Sequence, residues 1–187
     1  MIFSLNYSIK KFFIRKKLKK FKLKLFISDI DGTLTDGGMY YNSKGENLKK
    51  FNTRDGMGFE ILRNNGVKTA LITSENSLIN KERSNKLKID FLFQKEKNSG
   101  KEKAIKNMVN KMGISFTNVA YIGDDINDHE IMKEVGFSIA PRDGHEKIKR
   151  ISNYICKLNG GEGVFREVAE LILSAHNIKG TTKKGNR

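Results

Sequence analysis

Short apolar runs alternate with longer mixed segments along most of this chain. The runs are rich in Val, Ile, Leu and Phe and predict strands, at 23–27, 67–72, 90–94, 119–122, 136–140 and 154–157. The segments between them combine apolar and polar positions and predict helices, at 56–64, 78–87, 101–112, 128–135 and 164–175. Strands that alternate with helices are typical of a parallel sheet covered on both faces. The expected fold is therefore α/β, with a doubly wound parallel sheet in a single main domain.

One insertion interrupts this alternation after the first strand. Residues 39–51 contain two β-prone runs around a turn that includes Gly45, which predicts a β-hairpin. The insertion is too short to form a cap domain.

Two carboxylates at the end of the first strand are the strongest candidates for chemistry. Asp29 and Asp31 lie two residues apart in Asp29-Ile30-Asp31-Gly32-Thr33, so their side chains lean to the same side, roughly 6–7 Å apart. This spacing suits one carboxylate to attack phosphorus while the other handles the proton of the leaving group. The alternative is an acidic turn, because Asp and Gly are common turn residues.

Polar residues at the ends of later strands favour the catalytic alternative. Thr73 and Ser74 follow the second run, Lys101 follows the third after a turn, and Asp124 follows the fourth. Ligands of an open parallel sheet bind outside the carboxyl ends of the strands, so these stretches should meet in one crevice. An accidental acidic turn would not explain this shared position.

With these motifs the chain resembles the haloacid dehalogenase superfamily of aspartate-nucleophile phosphatases, over residues 22–175. The resemblance implies a Rossmann-like fold in which Asp29 is the nucleophile and Asp31 the general acid and base. It also implies that Thr73 binds phosphate, that Lys101 offsets phosphoryl charge, and that Asp124 binds magnesium. Relatives usually carry an acidic residue before this lysine, whereas this chain has Gly100.

An anionic nucleophile needs a cation beside the phosphoryl group, and Mg²⁺ prefers oxygen ligands. We expect a Mg²⁺ site formed by Asp29, the main-chain oxygen of Asp31, and Asp124. We expect Asp125 and Asp128 to orient Lys101 and bound waters from outside the metal's own ligand shell.

Further motifs resemble a capless branch of the superfamily that forms homotetramers through such hairpins. The matching stretches lie at 36–41, 50–56 and 160–167. The resemblance implies that the hairpin and a neighbouring subunit replace the cap. It also gives Arg166, after the glycine-rich turn, a role at the substrate or at an adjoining subunit, although this turn could simply connect a strand to a helix.

This branch includes phosphatases of 2-keto-3-deoxy sugar-acid phosphates, and two substrates compete. Ser74 and Glu75, with Arg83 and Lys86, resemble the nonulosonate or sialic acid 9-phosphate phosphatases and favour a nine-carbon substrate. The triplet 54–56 is typical of the eight-carbon group, the 3-deoxy-D-manno-octulosonate 8-phosphate phosphatases. Arg83 and Lys86 could instead lie on a solvated helix face.

The net charge of +15 is concentrated at the ends of the chain. Residues 1–20 hold seven Lys or Arg and residues 179–187 hold four, with no acidic residue in either segment. We therefore expect a basic N-terminal extension (1–20), a phosphatase domain (21–178) and a basic disordered tail (179–187), without a nucleic-acid groove. The extension could be a basic amphipathic helix on a membrane surface, but a disordered segment is the preferred interpretation.

Neither a signal peptide nor a membrane span fits the apolar run near the N-terminus, because Lys10 and Lys11 interrupt it. We therefore expect a cytoplasmic protein without stable membrane anchoring. The single cysteine, Cys156, lies in a predicted strand and is expected to be a core residue.

A second class of function is a non-catalytic regulatory module that keeps the fold. Retention of Asp29, Asp31, Lys101 and Asp124 favours catalysis, because a module without chemistry does not need crowded carboxylates that repel one another.

Overall fold

The structure is a computed structural model and describes residues 12–96 and 100–177. Six parallel strands form the main sheet, in the order β5-β4-β1-β6-β7-β8. Their bounds are β1 Leu25–Asp29, β4 Lys68–Ile72, β5 Phe91–Phe93, β6 Val119–Ile122, β7 Phe137–Ala140 and β8 Tyr154–Ile155. The strands β2 (Tyr40–Asn42) and β3 (Gly45–Leu48) pair separately as an antiparallel hairpin.

Helices cover both faces of the main sheet. The helix α1 covers residues 12–20, and the others are α2 Thr53–Asn64, α3 Leu78–Leu87, α4 Gly100–Lys111, α5 His129–Glu134, α6 Glu146–Ile151 and α7 Val164–Ala175. Single 3₁₀ turns at Phe116–Asn118 and Ile126–Asp128 flank β6. The doubly wound α/β fold expected from the sequence is confirmed.

The central strand β1 is buried on both faces, so its side chains feed two separate cores. Phe26 points to the face covered by α2 and α7, where its ring stacks on Phe165 at 4.4 Å between centroids and Phe165 stacks on Phe59 at 3.7 Å. Leu25 and Ile27 point to the opposite core, together with apolar residues of α4, α5 and α6. These two cores fix β1, and with it the Asp29 backbone, from both sides.

The first helix corrects one expectation. The sequence favours a disordered N-terminal extension, but residues 12–20 are helical and Leu18 is fully buried in the core. Lys17 also donates to the side chain of Asn153 at 2.8 Å. An apolar residue at every third or fourth position is enough to dock a short helix despite its many lysines. Residues 1–11 and 178–187 lie outside the described part of the chain.

The predicted hairpin is present, and the described residues contain no cap domain. The hairpin follows the loop after β1, and the chain returns to the main domain at a bridge between Thr35 and Phe51. Among the helices of the described ranges, none has the length and apolar character needed to cross a membrane.

Candidate active site

The candidate site lies at the carboxyl edge of the sheet, where β1, β4 and β6 end side by side. Asp29 is the last residue of β1, Thr73 directly follows β4, and Asp124 lies two residues after β6. Lys101 reaches the same edge from the first turn of α4. The structure therefore brings together the four motif residues that the sequence predicted to converge.

Lys101 joins two of the carboxylates inside the protein. Its Nζ lies 2.5 Å from Asp29 Oδ1 and 2.8 Å from Asp128 Oδ1. All three side chains are buried, with 1% exposure for Lys101. Asp128 Oδ1 also accepts from the Tyr121 hydroxyl at 2.6 Å, and its Oδ2 accepts from the main-chain N–H of Asp124 at 3.1 Å. Asp128 is therefore occupied by protein donors, one of which is Lys101.

Asp29, Asp124 and Asp128 can each offer an oxygen, and these oxygens lie within 4.8 Å of one another. Burial raises the pKa of Asp29 well above its usual range; Lys101 opposes this, while the charges of Asp128 and Asp124 add to it. Burial and the charge of Asp128 raise the pKa of Asp124 to about 7. Burial would lower the pKa of Lys101, but the two aspartates outweigh it and raise that pKa. One lysine does not balance this carboxylate cluster, so the donor set suits a divalent cation.

The turn after β1 sets the position of Asp124. Gly32 has φ +86°, and a Cβ there would lie 2.1 Å from Asp124 Oδ2, so glycine is required for the close approach. Thr33 Oγ1 donates to Asp124 Oδ1 at 3.1 Å. The Gly-Thr of the motif therefore has a physical role in holding the Asp124 carboxylate.

Asp31 points away from the buried cluster and is held by two other elements. Its Oδ1 accepts from Lys49 Nζ of the hairpin at 2.5 Å, and its Oδ2 accepts from Thr73 Oγ1 at 3.1 Å. Its carboxylate is not among the clustered oxygens of Asp29, Asp124 and Asp128. Metal binding through the main-chain oxygen of Asp31 stays a prediction. Sequence reasoning missed Lys49, because nothing in the sequence distinguishes it from the adjacent Lys50.

Ser74 and Glu75 line an open pocket of about 460 Å³ beside Thr73. The lining includes residues of the β4–α3 loop and of the connection from β5 to α4: Ser74, Glu75, Asn76, Lys95, Glu96 and Gly100. Ser74 Oγ also accepts from the Asn127 side chain at 3.3 Å, which ties this loop to the segment after β6. This pocket offers space for the part of a substrate beyond its phosphate.

The structure does not bring Arg83, Lys86 or Asp125 into the carboxylate cluster around Lys101. Arg83 donates to the Asn52 carbonyl at 3.0 Å and lies over the Phe51 ring, while Lys86 is exposed on the same helix. Asp125 is exposed, and its side chain caps the 3₁₀ turn by accepting from the Ile126 N–H at 2.7 Å. Of the two aspartates expected to orient Lys101, only Asp128 contacts it.

Arg166 lies on α7 and pairs with Glu170 through Nε at 2.7 Å. Its main-chain N–H donates to Asp55 Oδ1 at 3.1 Å.

Cys156 is buried, as expected, and burial raises the pKa of its thiol.

Fold and site together define a doubly wound α/β enzyme with a carboxylate and lysine cluster at the carboxyl edge of its sheet. The chain belongs to the haloacid dehalogenase-like hydrolases, whose family profile matches residues 42–168. The resemblance seen in the sequence motifs is thereby confirmed.

Similar proteins are named as phosphatases or, more broadly, as hydrolases of this superfamily. The 3-deoxy-D-manno-octulosonate 8-phosphate phosphatase of Yersinia pestis is 37% identical over 161 residues, covering 86% of this chain and 85% of that protein. The crystal structure of the Moraxella catarrhalis enzyme of that name, in complex with magnesium, phosphate and KDO, matches with TM-score 0.82 and 39% identity over 88% of this chain and 92% of that one. The structure of a putative hydrolase of haloacid dehalogenase subfamily III A, from Legionella pneumophila, matches with TM-score 0.85 and 30% identity. The match covers 92% of this chain and 93% of that one.

Proposed function

We propose that this protein is a magnesium-dependent phosphatase that hydrolyses the phosphate monoester of a 2-keto-3-deoxy sugar acid. The observation that carries the proposal is the buried contact of Lys101 with Asp29 and Asp128. Asp124 lies in the same cluster, and Asp31 follows Asp29 by two residues. This buried contact supports a nucleophile, a fixed positive charge and a cation site together at one edge of the sheet.

The reaction divides into two displacements at phosphorus. An oxygen of Asp29 attacks the phosphorus, the ester P–O bond breaks, and Asp31 gives its proton to the departing sugar oxygen. Asp31 then takes a proton from a water molecule, whose oxygen attacks the phosphorus, and the bond to Asp29 breaks. The balance is one ester and one water consumed, with one alcohol and one inorganic phosphate formed.

Asp29, Asp124 and the main-chain oxygen of Asp31 would hold the magnesium ion. When bound, this ion supplies positive charge that offsets the phosphoryl oxygens and the clustered carboxylates. Lys101 adds a fixed charge from the protein side, Asp128 orients it, and Thr33 orients Asp124.

For the substrate, the relatives support the eight-carbon sugar acid. Proteins covering more than four-fifths of this chain are named for 3-deoxy-D-manno-octulosonate 8-phosphate. The sequence supports the nine-carbon alternative through Ser74 and Glu75, which line the pocket beside Thr73. It also supports it through Arg83 and Lys86, which would have to reach the substrate across a subunit boundary. We therefore propose the eight-carbon substrate and keep the nonulosonate 9-phosphate as the second candidate.

The test is phosphate release by purified protein with each sugar-acid phosphate and with Mg²⁺ or a chelator. We expect the highest kcat/KM on the eight-carbon acid and no turnover with chelator.

Asp29→Asn should abolish phosphate release with the fold intact, and Asp31→Asn should slow phosphate release about 10²- to 10⁴-fold. Residual turnover of Asp29→Asn near the parent level would reject the nucleophile, and a higher kcat/KM on the nine-carbon acid would reverse the substrate order.

A further inference from the structure

The hairpin reaches the site through one lysine. Lys49 Nζ lies 2.5 Å from Asp31 Oδ1 and 3.3 Å from Glu46 Oε1, and only 5% of the Lys49 side chain is exposed. The adjacent Lys50 is 68% exposed and pairs with Asp36 instead. Two neighbouring lysines of the same hairpin therefore face different surroundings, and only Lys49 contacts a carboxylate of the proposed chemistry.

Lys49 is itself held from behind. Its partner Glu46 bonds through Oε2 to the Ser77 hydroxyl, and Ser77 is the N-cap residue of α3. A continuous line of contacts thus runs from Asp31 through Lys49 and Glu46 to the start of a main-domain helix. A lysine side chain ends in an ammonium group, and that of Lys49 lies between the carboxylates of Asp31 and Glu46.

The two oxygens of Asp31 are fixed by different elements. Lys49 of the hairpin holds Oδ1, and Thr73 at the end of β4 holds Oδ2. Because both of its oxygens are held, the Asp31 carboxyl group cannot rotate freely, and the proton that it carries as the acid points in one direction. The ammonium group also stabilises the negative charge that forms on Asp31 when it gives up its proton.

We propose that Lys49 is a positioning residue that holds Asp31 for proton donation to the leaving oxygen, with Glu46 holding Lys49 in place. This inference rests on the proposed phosphatase function and names a further part of the same site. It makes the hairpin a component of the catalytic machinery within one chain.

The test compares two leaving groups in single turnover, with enzyme in excess and Mg²⁺ present. A sugar phosphate leaves as an alkoxide and needs a proton from Asp31, whereas 4-nitrophenolate leaves readily without one. Lys49→Met removes the charge at similar length, Lys49→Arg retains it, and Glu46→Gln weakens the hold on Lys49. Lys50→Met is the matched control, because it removes the neighbouring lysine outside this line of contacts.

We expect Lys49→Met to slow release of the sugar alcohol about 10- to 100-fold and release of 4-nitrophenolate less than about 3-fold. Lys49→Arg should recover most of the sugar rate, Glu46→Gln should show a smaller loss of the same kind, and Lys50→Met should match the parent. A purely structural defect would slow both esters alike.

Three results would overturn the inference. Equal losses of rate on both esters would make Lys49 structural. A raised KM for the sugar acid at an unchanged single-turnover rate would make it a substrate ligand. A Lys49→Met variant that releases the sugar alcohol at the parent rate would show that Lys49 has no such role. A parent protein that releases neither leaving group would reject the phosphatase proposal itself, an outcome distinct from the other three.

Discussion

At the scale of single residues, Asp55 is a carboxyl group enclosed between α2 and α7. Its Oδ1 accepts the main-chain N–H of Arg166, while its Oδ2 is buried and has no hydrogen-bond partner in the described residues. Burial raises the pKa of Asp55 to about 6, although the main-chain N–H groups of Arg166 and Phe165 and the charge of Arg83 oppose the shift. The folded protein therefore holds a proton at Asp55 more tightly than the unfolded chain does.

This difference predicts how stability depends on pH. Because the folded pKa lies above the unfolded one, Asp55 contributes stability below about pH 4 that is lost as the pH rises through about 6. The shift corresponds to about 3 kcal/mol. Asp55→Asn keeps the acceptor for α7 but cannot ionise, so its unfolding free energy should rise relative to the parent by about that amount between pH 4 and 7.5. Urea unfolding at several pH values measures this, with exposed Glu82→Gln as control; parallel curves for parent and Asp55→Asn would contradict it.

At the scale of elements, the glycine-rich turn before α7 is more than a connection. Gly161 N–H donates to the Thr33 carbonyl at 2.9 Å, and the Asn52 side chain donates to the Gly161 carbonyl at 3.1 Å. A Cβ on Gly160 would lie 1.9 Å from the Gly32 carbonyl oxygen. The turn thus packs directly behind the loop that carries Asp31.

This contact predicts a specific effect of Gly160→Ala. The added methyl group should displace the 31–35 loop, because backbone on both sides leaves no space for it, and should lower the unfolding free energy by about 1–3 kcal/mol. The sugar-phosphate kcat should fall by more than the fraction of unfolded protein explains. Gly66→Ala is the control: it meets open space at φ +76°, so it should cost about 1 kcal/mol without affecting turnover. Full activity of Gly160→Ala would show that the turn does not position the loop.

Sequence reasoning succeeded where the pattern is local. The bounds of α3 and α7 match the prediction, and the strand ends correctly placed Asp29, Thr73 and Asp124 at one edge. It missed α6, whose six residues are too few to show a helical period. It ranked a helix at α1 second, because the many lysines concealed a buried Leu18. The inward orientation of Lys49 could not be predicted, because it depends on how the hairpin folds back onto Asp31.

At the scale of the whole molecule, the hairpin has an apolar surface that the described residues of one chain leave exposed. Four of its side chains are between 44% and 68% exposed: Met39, Tyr40, Tyr41 and Leu48. Clustered exposed apolar side chains mark sites of protein interaction. This surface supports the proposal that the hairpins of several copies pack together into a homotetramer.

Assembly and catalysis should then be linked, because the same hairpin carries Lys49. A double variant, Tyr41→Glu with Leu48→Glu, places charges on the exposed surface, which would have to be desolvated in an interface. We expect light scattering to show a tetramer for the parent and smaller species for this variant, with slower sugar-phosphate turnover because the freed hairpin holds Asp31 less firmly. Phe12→Glu changes an equally exposed aromatic on α1 and should leave both properties unchanged.

A parent that is a fully active monomer at assay concentration would refute the assembly. A dissociated variant with full activity would instead show that each hairpin holds its own Asp31 without help from neighbouring subunits.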